Sequence, residues 1–344
     1  MKKLFAVSFA AALIANSALA QNATTTPVGV MTISLPPSKS MLISIPMVGD
    51  AVYSGVISSL TANSITVAGS PWSDIQFGGA TPHFVQLKSG LHAGRFLRIV
   101  SNTPSSITVD TDDIGGLDVP LTVSGKAAVG GDRFQITVGD TIGSLFGSTV
   151  SEIAPLVGAT RLSSADNISV LNPVSGKTDI FYFNTSPGVN RWTRSGSTVS
   201  QNNFVLTPGQ GIGISTVAAG GVTRVLTITG NVPDVAPVFK FEPRRSDRFG
   251  TTFPVDITLA QLDFGANWVK HNRSSSADLI SIFNPNTLRF TTYYKKPDNN
   301  WYINGNAASQ NSVVIPAGSS IGVSTTSTLS GAQLLYPLPL PYNL

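Results

Sequence analysis

Few residues in this chain are able to do chemistry. It holds three His and no Cys. His83, His92 and His271 fall at no metal-ligand spacing, and no thiolate exists to complete a zinc site. His83 follows Pro82 and His92 lies in the Gly90–Gly94 turn, which reads as histidine on surface loops. Gly318-Ser319-Ser320-Ile321-Gly322 spells the G-x-S-x-G nucleophile elbow. That motif works on a sharp strand-to-helix turn, with an acid and then a His downstream. Here the residues run into a strand pattern, no His follows, and an internal repeat carries Gly211 in place of the serine.

The carboxylates offer one cluster, Asp110-Thr111-Asp112-Asp113-Ile114-Gly115-Gly116-Leu117-Asp118. Asp110, Asp112 and Asp113 among glycines could bend around a calcium ion, whose ligands are oxygens. The EF-hand pattern fails, because Leu121 stands where a bidentate Glu is needed. A solvated turn is the simpler reading, and no other cofactor is implied. Asp166 and Asp278 each follow Ser-Ala and precede a strand, but the repeated block has no second carboxylate in register to form a catalytic pair. They read as turn-holding residues that bond to backbone.

These aspartates mark a stretch that occurs twice. Ser163-Ser164-Ala165-Asp166 through Asn172-Pro173 returns as Ser275-Ser276-Ala277-Asp278 through Asn284-Pro285. Trp192 answers Trp301, Ser200-Gln201-Asn202 answers Ser309-Gln310-Asn311, and Gly209–Thr216 answers Gly318–Thr325. Each copy sets an aromatic strand, with Tyr182 or Tyr294, shortly before its Trp. Side chains on neighbouring strands of one sheet share a face. Trp192, Trp301, Tyr182 and Tyr294 therefore form either a hydrophobic core or an exposed platform on which a sugar ring or a partner could stack.

The elements that must hold these residues are strands. Charged residues make up 12% of the chain and Gly and Pro number 32 and 22. Glu occurs only at Glu152 and Glu242, so good surface-helix formers are scarce while β-branched residues and turn formers abound. The class is all-β. Hairpins are expected at Gly55–Leu60 with Ser64–Val67, and at Arg95–Val100 with Ser106–Val109. Short helices are expected at Thr141–Phe146, capped by Asp140, and at Thr258–Leu262, capped by Thr258. The expected organisation is a leader at 1–20, an N-terminal β-domain at 21–125, a small barrel or sandwich, and two duplicated sandwich or barrel-like β-modules at 126–240 and 241–344. Asp132-Arg133-Phe134 opens the second unit in this reading, as Asp247-Arg248-Phe249 opens the third.

Lys2 and Lys3, the apolar run Leu4–Ile14 and Ala18-Leu19-Ala20 form a Sec-type signal peptide, too short to span a bilayer. Export to the cell surface, the medium or the periplasm is expected, with no membrane span. The formal charge of +4 is spread without any Lys/Arg block longer than two residues, which argues against nucleic acid.

In order along nearly the whole chain, Pro27–Leu35, Leu42–Pro46, Ser89–Phe96 with Ser101-Asn102-Thr103 and Ile107-Thr108-Val109, the aromatic strand, the Trp and the late Pro/Gly turns resemble a family of secreted β-rich proteins. That family occurs as many paralogues in verrucomicrobial bacteria. Gly139–Phe146 departs from its corresponding segment by lacking an aromatic. The resemblance implies an exported β-rich protein and no particular activity. The sequence thus points to a non-catalytic structural or adhesive protein of the surface or envelope. It would assemble through sheet edges and aromatic faces with itself or other surface proteins. The alternative is a secreted carbohydrate-binding protein that uses the repeated aromatic strands on glycans.

Overall fold

The computed structural model describes residues 27–90, 92–111, 120–122, 131–172, 175–241, 244–251, 253–265, 268–284, 287–326, 334–337 and 340–341. The leader expected at 1–20 lies outside them. The protein is almost entirely β, in antiparallel sheets. Among the described residues no helix is long and apolar enough to cross a membrane.

The chain opens with β1 (Val28–Leu35) and β2 (Ser40–Ile43). It continues with β3 (Ala51–Val56), β4 (Ser59–Leu60), β5 (Ser64–Thr66), β6 (His83–Leu87), β7 (Phe96–Asn102), β8 (Ser106–Val109) and β9 (Arg133–Val138). Next come β10 (Asp140–Thr141), helix α1 (Ile142–Phe146), β11 (Asn167–Leu171), β12 (Thr178–Asn184), β13 (Arg191–Arg194), β14 (Val205–Leu206), β15 (Ile212–Ser215) and β16 (Arg224–Asn231). The last run is β17 (Val238–Phe241), β18 (Ser246–Gly250), β19 (Ile257–Thr258), β20 (Leu279–Asn284), β21 (Arg289–Lys295), β22 (Trp301–Ile303), β23 (Val314–Ile315), β24 (Ser320–Ser324) and β25 (Leu334–Pro337).

Strand pairing shows how the repeat is built. One five-stranded sheet has the order β13-β12-β11-β15-β2 and another the order β22-β21-β20-β24-β18. The small pairs correspond too: β10 with β14 and β19 with β23, β1 with β16 and β17 with β25. The place that β18 fills in the later sheet is filled in the earlier one by β2, from before the N-terminal unit. Ile43 lies opposite Ile212 as Phe249 lies opposite Ile321. The strands β3 to β9 form a separate seven-stranded sheet, β3-β9-β6-β7-β8-β5-β4.

This corrects the expected boundaries at 125 and 126. Arg133-Phe134 belongs to the seven-stranded sheet, and the true counterpart of Asp247-Arg248-Phe249 is Met41-Leu42-Ile43. Packing agrees, because Met31, Leu35, Met41 and Ile43 share a core with Trp192, Ile212 and Phe181. Phe134 and Ile136 instead share one with Val85, Leu97 and Ile107. The seven-stranded unit is therefore an insertion into the first copy of the repeat. Alternation explains the division, since β1 buries Met31 and Leu35 while Val28, Val30 and Thr32 face out.

The helices follow their caps. Thr141, rather than Asp140, caps α1: its hydroxyl accepts from Ser144 N–H at 3.0 Å, and Ser144 Oγ accepts from Thr141 N–H at 2.8 Å. Thr258 and Gln261 form the same reciprocal box before a single 3₁₀ turn, Leu259–Gln261.

The two copies meet through reciprocal pairing. Ile43 bridges Ser319, and its counterpart Phe249 bridges Gln210, the counterpart of Ser319. Ser44 N–H donates to Gly318 O and Gly250 N–H donates to Gly209 O, each at 2.8 Å. Equivalent residues therefore face each other as across a local twofold axis: Ser44 against Gly250, and Gly211 against Ser320. At both places one partner is Gly, and a Cβ built on either glycine would fall inside the opposing serine side chain. Gly250→Ser should destabilise the protein by about 1–3 kcal/mol through overpacking. Adding Ser44→Gly to it should recover most of that loss, read as coupling in denaturant unfolding of the two single variants and the double. Independent, additive effects would contradict the contact.

Candidate functional site

The residues singled out from the sequence fall into the interior. Trp192 and Trp301 are 1% and 0% exposed, which corrects their reading as a stacking platform. Trp192 packs edge-on against Phe183 at 5.7 Å between centroids, and its Nε1–H donates to Gly147 O at 2.7 Å. Trp301 lies 6.0 Å from Trp268 and 6.4 Å from Phe264. The physical reason is the edge position of β13 and β22, where each Trp side chain turns onto the core while its backbone is sealed from outside. Asn202 Oδ1 accepts from Trp192 N–H and Asn311 Oδ1 from Trp301 N–H, both at 2.9 Å. Gln201 and Gln310 N–H donate to the two Trp carbonyls at 2.8 Å. The repeated Ser-Gln-Asn therefore closes a sheet edge, a place that otherwise invites strand addition.

Tyr294 is buried with Tyr302 and Ala277, and Tyr182 is half-buried, its hydroxyl accepting from Asn184 Nδ2 at 3.3 Å. Lys296 Nζ sits 3.8 Å from the centroid of Tyr302. The Tyr302 hydroxyl donates to Asp298 at 2.8 Å, which raises its pKa. Asp298 is held below the usual carboxylate range, first by the Asn300 N–H and then by that hydroxyl. Tyr294 and Tyr302 are thus committed to packing, while Tyr182 stays half-buried and Phe290 of β21 is exposed.

Asp166 and Asp278 do the same structural work twice. Asp166 accepts from Val157 N–H at 2.8 Å and Val217 N–H at 2.7 Å, and pairs with Arg224. Asp278 accepts from Val269 N–H at 2.9 Å and Thr326 N–H at 2.7 Å. Ser320, of the apparent elbow, lies in β24 and its hydroxyl donates to Phe249 O at 3.3 Å. His92 is 1% exposed rather than on the surface, because the Gly90–Gly94 turn folds inward against Asp132 and Ala236. Of the acidic cluster, Asp110 N–H donates to Arg98 O at 2.8 Å, while Asp112 and Asp113 lie outside the described residues. Among the described residues no group of three or more His, Asp or Glu could hold a metal ion.

A site absent from the sequence reading lies where the inserted unit meets the β1·β16 ribbon. A cleft of about 940 Å³ opens over β3, β9 and β6. Gln135 lies opposite Gln86 on one side and Ser54 on the other. One step along, Arg133 lies opposite Val56, and its carbonyl accepts from Lys88 N–H at 2.8 Å. Alternation sends Val85, Leu87, Phe134 and Ile136 to the core and these polar side chains into the cleft. Gln86 is 1% exposed. Its Oε1 accepts from Lys88 Nζ at 3.2 Å, and Lys88 pairs with Asp234. Its Nε2 is buried and has no partner. A buried donor left in that state costs about 1–3 kcal/mol. On the wall, Asp50 accepts from Asn231 Nδ2 at 3.1 Å. Because these residues come from three strands distant in sequence, no local motif announces them.

Comparison with protein-family models, with curated proteins and with solved structures finds no match to this chain.

The burial of both tryptophans makes a direct prediction. Trp192→Ala and Trp301→Ala should each lower unfolding free energy by about 3–5 kcal/mol. Asn202→Ala and Asn311→Ala should each cost about 1–3 kcal/mol, by leaving the Trp N–H unpaired. Denaturant titration checks both, and a Trp→Ala variant of unchanged stability would contradict the core assignment.

Proposed function

We propose that the protein is an exported, non-catalytic structural or adhesive component of the cell surface or envelope, which assembles with further copies of itself by strand addition at a sheet edge. The observation that carries this reading is the state of the edges. Those formed by β13 and β22 are sealed by Gln201-Asn202 and Gln310-Asn311. β3 ends the seven-stranded sheet, and no described backbone group bonds to its outer side. Its Val52 and Val56 are exposed, and apart from the register shift at Val52 it carries no charge or proline that would blunt a free edge. A second copy is the favoured occupant, because the chain already joins its own two repeats by antiparallel backbone pairing at Ile43–Ser319 and Gln210–Phe249. The apparent signal peptide supports export, and the commitment of Asp166, Asp278 and Ser320 to structural bonds supports a role without catalysis.

Sedimentation velocity across a concentration series tests the assembly. The wild type should form species larger than a monomer. Val52→Lys with Val56→Lys should stay monomeric, with an unchanged circular dichroism spectrum. On intact producing cells the wild type should be cell-associated and open to added protease. A wild type that is monomeric at every concentration and free in the medium would overturn the proposal.

A further inference from the structure

We infer that the cleft over β3, β9 and β6 is a binding site for a carboxylate-bearing saccharide, a uronic-acid unit of an acidic glycan. The inference rests on Gln86 and Arg133 of the sheet face and not on the edge backbone, although Val56 of β3 borders both.

The argument starts from the hydrogen-bonding groups that the protein leaves unused. Gln86 Nε2 is buried at the floor without an acceptor. Its Oε1 is already occupied by Lys88, so the amide is oriented with its N–H groups unspent. Arg133 is exposed, and among the described residues no acidic group pairs with its guanidinium. Gln86 and Arg133 stand diagonally on adjacent antiparallel strands, a spacing that long side chains bridge. Lys88 is neutralised by Asp234, and Asp50 is held by Asn231. Among the described residues lining the cleft, Arg133 is therefore the cation without a carboxylate partner, and Asp50 the carboxylate held by a neutral amide alone. An amide donor and a guanidinium at diagonal positions on the face that lines one cleft suit an acceptor-only group, and a carboxylate takes a guanidinium in two parallel bonds.

The remaining lining sets the rest of the ligand. Ser54, Gln135 and Asp50 can each bond to hydroxyls, which a sugar ring supplies along its edge. The exposed valine Val56 meets the C–H surface of a ring. A volume of about 940 Å³ exceeds what a lone carboxylate would fill and lies in the range of sites for extended small ligands. The binder reading thus moves from the buried aromatic strands to a polar sheet face.

Isothermal titration of the full chain tests this with three probes: an oligogalacturonate, a neutral oligogalactan of equal length and a hexameric Glu peptide. Saturable binding of the oligogalacturonate is expected, with the neutral oligomer at least about tenfold weaker. Gln86→Leu and Arg133→Gln should each weaken binding about tenfold, Arg133→Gln at an unchanged melting temperature. Should Gln86→Leu fail to fold, Arg133→Gln decides alone, because its side chain is exposed. No saturable binding of the oligogalacturonate, equal binding by Arg133→Gln, equal binding of the neutral oligomer, or tighter binding of the acidic peptide would each overturn the inference.

Discussion

The structure depends on how closely two copies of one β-module approach each other. Backbone meets backbone where Ser44 faces Gly250 and Gly211 faces Ser320, and the paired N–H···O bonds there can form only if one member of each pair lacks a side chain. Across a true twofold axis both members would be identical. A covalent duplication frees them to differ, and this chain uses that freedom in opposite directions at the two contacts, with Ser in the first copy at one and in the second copy at the other. One buried hydroxyl nearby is satisfied by the same approach, while that of Thr251 has no partner. Ser44 Oγ donates to the carbonyls of Thr251 and Ser319 at 3.3 Å.

The insertion of the seven-stranded unit follows from this frame. The first copy receives its edge strand β2 from before the insertion and the rest of its strands from after it, so the chain leaves and re-enters the module at one place. Val48 N–H donates to Asn231 O at 3.0 Å and Asn231 N–H donates back to Val48 O at 2.8 Å, which closes the exit beside the end of β16. Val138 N–H donates to Asp50 O at 3.0 Å and closes the base of the insertion. The cleft lies along this seam. A seam of this kind leaves a polar sheet face incompletely covered, and Gln86 is its clearest trace. Gln86, Arg133 and the outer edge of β3 all belong to the inserted unit.

Much of the fold was legible from residue types. Short β-branched runs between turn formers located the hairpins of β4 with β5 and β7 with β8, and the repeated Asp, Trp and Ser-Gln-Asn located the equivalent strands. The domain boundary was hidden because Asp132-Arg133-Phe134 imitates Asp247-Arg248-Phe249, while the real counterpart, Met41-Leu42-Ile43, shares no residue with it. Pairing, and not likeness of sequence, identifies an edge strand. The aromatic strands were ambiguous for a related reason: period-two alternation says that Phe181, Phe183 and Trp192 share a face but does not say which face is covered. The cleft was invisible, since Ser54, Gln86 and Arg133 are brought together only by the order β3-β9-β6.

The most direct test of the account is amide hydrogen exchange, compared between the segments around Ser44 and Gly250. Both N–H groups are donors in reciprocal bonds of equal length, although one lies in the lead to the insertion and the other deep in the second module. The account predicts that both are strongly protected and open with similar free energies, because neither bond breaks unless the two copies part. Rapid exchange at Ser44 beside strong protection at Gly250 would contradict the reciprocal junction, and with it the assignment of β2 to the first copy.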